Sequence, residues 1–193
     1  MILLTFNISI PENNTQIKNK YNDNELILSI EKNTEIILQL LEIHGFLATF
    51  FVEVSIANRL EKLLKTISLS GHEIALYNVN SDIETITKTK ENLEEILEKP
   101  IRGMRQKSHR LPYSDIKKME FIYVSNIEES TINFLWRKLT EKTEIYTENE
   151  LTIVPESQSP YSQLPFNDYV LQMTPMKYYE NMLLESLKRE EYV

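Results

Sequence analysis

The chain has 193 residues, 41% hydrophobic and 26% charged, with a formal net charge of −8, the make-up of one globular domain with room for a buried core. Lys and Arg are scattered among Glu rather than gathered, which excludes a nucleic-acid partner, because phosphate binding needs a concentrated basic surface. There is no cysteine, so disulfides and thiolate metal sites are excluded. The N-terminal "MILLTFNISI" has neither the basic flank of a signal peptide nor the length of a membrane span; a cytoplasmic protein is expected.

In chain order, "ILLTF" (2–6) reads as a buried strand, followed by a polar, Asn-rich stretch (13–24) expected to form a long loop. Residues 35–44 place Ile36, Ile37, Leu40 and Leu41 on one helix face. "FLATFFVEV" (46–54) is the second strand, and Ile56, Leu60, Leu63, Leu64 and Ile67 carry the second helical pattern. "HEIALY" (72–77) is the third strand. The next helix runs through Ile83, Ile86, Leu93, Ile96 and Leu97, headed by "SDIE", a capping box with Ser81 as N-cap and Glu84 reaching back.

The charge run 88–99 is the solvated face of that helix. Further strands are expected at "IRGM" (101–104), "EFIYVSN" (120–126) and "LTIVPE" (151–156). A last helix has Thr174 as N-cap and Pro175 at its first position. All three glycines, Gly45, Gly71 and Gly103, sit at joints where left-handed backbone is expected. The β-α alternation predicts a mainly parallel sheet curled toward a barrel, as a single domain over 1–193.

Hydrolytic metal sites are built from Asp, Glu and His. The 29 acidic residues include only four Asp (Asp23, Asp82, Asp115 and Asp168), and the three His are His44, His72 and His109. The chain is poor in two of the three ligand types.

The segments "ILLTFN", "LLEIHGFLATFFV" (40–52), "GHEIA" (71–75), "KPIRGMR" (99–105) and "FIYVSNI" (121–127) resemble, in order and spacing over roughly 1–170, the polysaccharide deacetylase (NodB-homology) family. The resemblance implies a distorted (β/α) barrel of fewer than eight strands. The usual activity is metal-dependent removal of N- or O-acetyl groups from sugar polymers. An Asp and two His hold the metal, a second Asp is general base and a late His is general acid.

Position by position, those groups are missing. The base position is Asn7, which accepts no proton near neutral pH, and Ile8 and Ser9 follow it in place of an acidic ligand. The two His positions are Tyr77 and Ser81. Arg105 matches the arginine that orients the base, but "QK" replaces the small residue and proline after it. The strand bearing the acid His would begin where the chain stops at "LKREEYV".

The sequence therefore predicts an incomplete polysaccharide-deacetylase-type barrel lacking its last strand, with degenerate cleft positions Asn7, Tyr77, Ser81 and Arg105, no metal and no cofactor. Removing one catalytic group commonly costs orders of magnitude in rate. The expected role is non-catalytic: binding a carbohydrate ligand or a partner in cell-surface carbohydrate metabolism.

Two other readings stand beside it. One is an active carbohydrate deacetylase using a rearranged site drawn from Glu12, Glu53 or Glu73 with His72 or His109. The other is a truncated gene product. Individual residues also carry structural readings: His72 packs at a strand start, His44 meets the last carbonyls of its helix, and His109 is solvated. Tyr77 covers the barrel mouth or stacks on a sugar ring, and Arg105 binds a ligand carboxylate or sulfate or pairs with a local Glu. A missing last strand leaves an open edge beside the first strand. A homodimer through that edge is expected, with Trp136, Phe134, Phe166, Tyr169 and Tyr178 as contacts.

Overall fold

The structure is a computed structural model that describes residues 3–10, 22–107, 111–127, 144–157, 166 and 168–188. Its elements are β1 (Thr5–Ile8), α1 (Asp23–His44), β2 (Thr49–Glu53), a 3-10 turn (Ala57–Arg59), α2 (Glu61–Leu69), β3 (Glu73–Asn78), α3 (Ile83–Leu97) and β4 (Gly103–Lys107). There follow α4 (Tyr113–Lys118), β5 (Tyr123–Ile127), β6 (Tyr146–Glu148), β7 (Leu151–Val154), α5 (Asp168–Met173) and α6 (Met176–Lys188).

The helices begin and end for local reasons, and three expectations need correcting. Asn22 to Asn24 belong to the start of α1 rather than to a loop. The Asn22 side chain accepts from the Asn24 and Glu25 N–H groups, and Glu25 reaches back to the Asn22 N–H, a complete capping box. The N-cap of α3 is Asp82, not Ser81: Asp82 Oδ1 takes the Thr85 N–H at 2.8 Å. Carboxylate outcompetes hydroxyl here because its charge also suits the helix N-terminus. At α6 the Thr174 hydroxyl turns back to the Val170 carbonyl at 2.7 Å, and the Pro175 carbonyl receives the Tyr179 N–H.

Gly45 and Gly71 adopt the left-handed conformation expected, with φ of 66° and 88°. Gly103 does not, and its reason is space: a Cβ there would lie 1.9 Å from Cζ of Tyr123.

The sheet order is β1-β2-β3-β4-β5-β7-β6, parallel from β1 through β7 and antiparallel between β6 and β7. The sequence reading missed β6. It turns into β7 through Asn149 and Glu150, both at positive φ (50° and 63°), a two-residue hairpin loop of the primed type. The other strands lie within a few residues of their expected places.

Strand alternation divides the side chains into two sets. Phe50, Val52, Ile74, Leu76, Met104, Val124 and Ile153 join Leu38, Leu41, Leu64, Ile67, Ile86 and Leu93 in the main core between sheet and helices. The opposite, concave face carries a smaller cluster of Phe51, Ala75, Tyr77 and Val79, with Tyr123 and Ile127 against it. Among the described residues β1 pairs with β2 alone, so the sheet is unclosed on that side, as an incomplete barrel requires.

Candidate functional site

Arg105 is the centre of the concave face. It leaves β4 beside Tyr77 of β3 and Ser125 of β5 and makes three hydrogen bonds. Nε donates to Ser125 Oγ at 3.2 Å, Nη1 to Asn7 Oδ1 at 2.8 Å and Nη2 to Thr5 Oγ1 at 3.1 Å. Its Cζ stands 3.9 Å from the centre of the Phe51 ring, within range of a cation–π contact. In a flat sheet β1 and β4 would be about 14 Å apart with side chains perpendicular to the sheet, beyond the joint reach of Arg and Asn. The hydrogen bonds to β1 therefore require the curl that the sequence predicted.

Burial lowers the Arg105 pKa to about 10, opposed by Glu156, Tyr123 and Tyr77, so the guanidinium stays charged at neutral pH. The acceptors of these three hydrogen bonds are an amide oxygen and two hydroxyls. The guanidinium is engaged with the scaffold on β1 and β5, and the nearby Glu156 carboxylate favours its charged form.

The other cleft positions divide in two. Asn7 lies on the open side of the cleft and is exposed; Arg105 orients its amide as the family resemblance implies for the base. Tyr77, only 3% exposed, lies between Glu53 and Arg105 in register. With so little surface open it has no free ring face for a sugar, and it closes the interior. Ser81 is set by its backbone: its N–H donates to Oδ1 of buried Asn78 at 2.8 Å, a side-chain turn that carries the chain into the Asp82 cap. After Arg105, buried Gln106 takes the place of the turn-forming residues. Its Nε2 donates to the Leu111 carbonyl and its Oε1 accepts the Leu111 N–H, pinning the loop end.

Of the candidates for a rearranged site, Glu53 stands apart from Glu73 and His72. Glu53 stands at the C-terminal end of β2, where its carboxylate accepts the Ile10 N–H at 3.0 Å and the Ser55 hydroxyl. Glu73 stands at the start of β3, level with Thr49, about 13 Å along the strands from Glu53. It accepts the Thr49 hydroxyl at 2.7 Å and is hydrogen-bonded to Tyr123. Burial first, and Glu73 second, push the Tyr123 phenol well above its usual range.

His72 is buried at the same end. Its Nδ1 accepts the Ala48 N–H at 3.3 Å and its ring meets Phe50 edge-on; burial holds its pKa below the usual value. His44 stacks on Phe46. Glu12, His109, Trp136 and Phe134 lie outside the described residues, as does the side chain of Tyr169, whereas Phe166 meets Tyr179 edge-on within the chain.

Sequence reasoning missed Thr5, Phe51 and Ser125, the partners that fix Arg105. Parity was the available signal: in "TFFVE" Phe51 shares its face with Thr49 and Glu53, so it belongs inside the cleft rather than in the main core.

No protein-family model matches the sequence, and no curated protein is close enough to match. Solved structures do match. A protein of Mycobacterium smegmatis assigned to the polysaccharide deacetylases aligns with 95% of this chain and 73% of its own, at 17% identity and a TM-score of 0.58. PuuE allantoinase aligns with 99% of this chain and 74% of its own, at 11% identity and a TM-score of 0.62. The fold is that of the polysaccharide deacetylases, in an unclosed form.

The family that the sequence resembles implies a divalent metal held by Asp and His. The residues present do not fit one. The positions carry an amide committed to Arg105, a buried phenol and a serine turned by its backbone into a helix cap. Among the described residues no three His, Asp or Glu side chains converge.

Proposed function

We propose that this chain is a polysaccharide-deacetylase-like protein that does not carry out the metal-dependent reaction, and that it holds a glycan chain as a non-catalytic component of cell-surface carbohydrate metabolism. One observation carries the reading: Arg105, instead of orienting a carboxylate base, bridges β4 to β1 through Asn7 and Thr5 and fills the middle of the cleft. Asn7 at the rim remains open to solvent, and amide and hydroxyl groups of this kind suit neutral sugar hydroxyls better than they suit a cation. In this reading residues 1–193 form one domain.

The test is calorimetric titration with acetylated chito-oligosaccharides, together with an acetate-release assay in the presence of added Zn²⁺ or Co²⁺. The reading predicts saturable binding, weakened by Asn7→Leu, with no acetate released. Acetate release that depends on the metal and is lost in Asn7→Leu would overturn it.

A further inference from the structure

A second concavity lies at the end of the sheet where β4 and β5 begin, and no cleft residue lines it. Its volume is about 530 Å³, within the range of small-molecule sites. The chain makes the same left-handed step at four helix-to-strand joints. Gly45 and Gly71 take it before β2 and β3, at φ of 66° and 88°, whereas Glu98 and Glu120 take it before β4 and β5, at 52° and 62°. A Cβ crowds the backbone in that conformation, so glycine is the usual choice. A carboxylate at a helix C-terminus also opposes the helix dipole. Both of these misfits line the one cavity.

The buried part of the lining is satisfied from within. The Lys90 ammonium pairs with Glu94 Oε1 at 2.8 Å and lies over the Phe121 ring, and Glu94 also accepts the Ile101 N–H. Lys99 donates to the Ser68 carbonyl at 2.9 Å. Glu98, Arg102 and Glu120 differ: among the described residues their side chains have no hydrogen bond or ion pair, although opposite charges face the same space. The lining balances in sign, Lys90, Lys99 and Arg102 against Glu94, Glu98 and Glu120. A lone cation would meet the free Arg102, and a lone anion the two free carboxylates. We infer that this cavity binds a small zwitterion, an amino acid or short peptide. Its carboxylate sits on the Arg102 fork and its ammonium on Glu98 and Glu120, with Pro100 and Ile122 as apolar walls.

The probes are the standard free amino acids and the dipeptide Ala-Ala, each titrated calorimetrically into the full chain. Saturable binding of at least one of them is expected. The N-acetyl and C-amide forms of the tightest binder, each lacking one charge, should bind about tenfold more weakly. Arg102→Gln should cost about as much. Glu98→Gly and Glu120→Gly give a readout that a purely structural role would not: each should raise the unfolding midpoint by removing a left-handed Cβ, while weakening binding. No saturable binding of any of these zwitterions would overturn the inference. So would singly charged forms that bind as tightly as the zwitterion. Binding untouched in the double variant Arg102→Gln, Glu98→Gly would also overturn it, by placing the ligand elsewhere on the chain.

Discussion

Arg105 on β4 donates a hydrogen bond to Asn7 on β1 at 2.8 Å across the concave face of the sheet. The two residues are 98 positions apart in sequence. Their bond, with those to Thr5 and Ser125, ties the first strand to the fourth and fifth. An arginine that the family resemblance assigns to the base has become a strut.

The strut should matter for stability. Replacing Arg105 with Met removes three charge-assisted hydrogen bonds and the contact with Phe51, leaving the buried Ser125 hydroxyl without this donor. The expected loss is about 2–3 kcal/mol. Arg105→Lys should recover little, because an ammonium cannot address three acceptors arranged around a planar fork. Urea denaturation of the three proteins checks this; a Lys variant equal to the parent would contradict it.

Gly103 and Tyr123 form a second interlocked pair. An alanine Cβ at 103 would overlap the Tyr123 ring at 1.9 Å, and the ring is held by its bond to Glu73. Gly103→Ala should therefore destabilise by about 2 kcal/mol or more. Most of that penalty should vanish in a Tyr123→Ala background, where no ring remains to collide. Additive effects of the two changes, seen in a double-mutant cycle, would show that the glycine answers to something else.

At the head of α3, Asp82→Ala should lower the unfolding midpoint at neutral pH, while Ser81→Ala leaves it unchanged. The Thr85 N–H holds the Asp82 carboxyl below its usual pKa. Its contribution is therefore present above about pH 4, the unfolded value, and is lost as pH falls through the lowered folded value. Asp82→Asn should keep the cap and remove that acid-dependent component. Thermal melts across the acid range separate the three cases.

The architecture was legible because periodicity and glycine joints are local signals: β2, β3 and α3 lie close to where their apolar patterns put them. The errors came where two local signals competed. "SDIE" offers both a serine and an aspartate as cap, and only the chain's entry through the Asn78 turn decides between them. β6 is three residues with one half-buried side chain, too short to show alternation. Within the site, the positions Asn7, Tyr77, Ser81 and Arg105 were singled out one by one from the resemblance. The strut was not, because a hydrogen bond between residues 7 and 105 depends on how far the sheet curls, and no local pattern encodes that.

His72 supplies a pH signature of its own. Burial lowers its pKa, so below about 6.5 the unfolded chain binds a proton that the folded state refuses. Its contribution is complete above that pH and is lost as pH falls toward the lowered value. His72→Asn retains an acceptor for the Ala48 N–H and should flatten this slope. Unfolding midpoints at about pH 5 and about pH 8 in both proteins measure it; equal slopes would mean that His72 does not titrate with unfolding.

The central claim is that this cleft has exchanged a metal centre for a scaffold built on Arg105. Calorimetric titration of the purified, tag-free chain with Zn²⁺ and Co²⁺, backed by metal analysis, tests it most directly. The account predicts no saturable heat and no retained metal, in the parent chain and equally in Asn7→Asp, where one carboxylate returns without the other ligands. Tight binding of one metal ion per chain would contradict it and would restore a rearranged active site as the leading account.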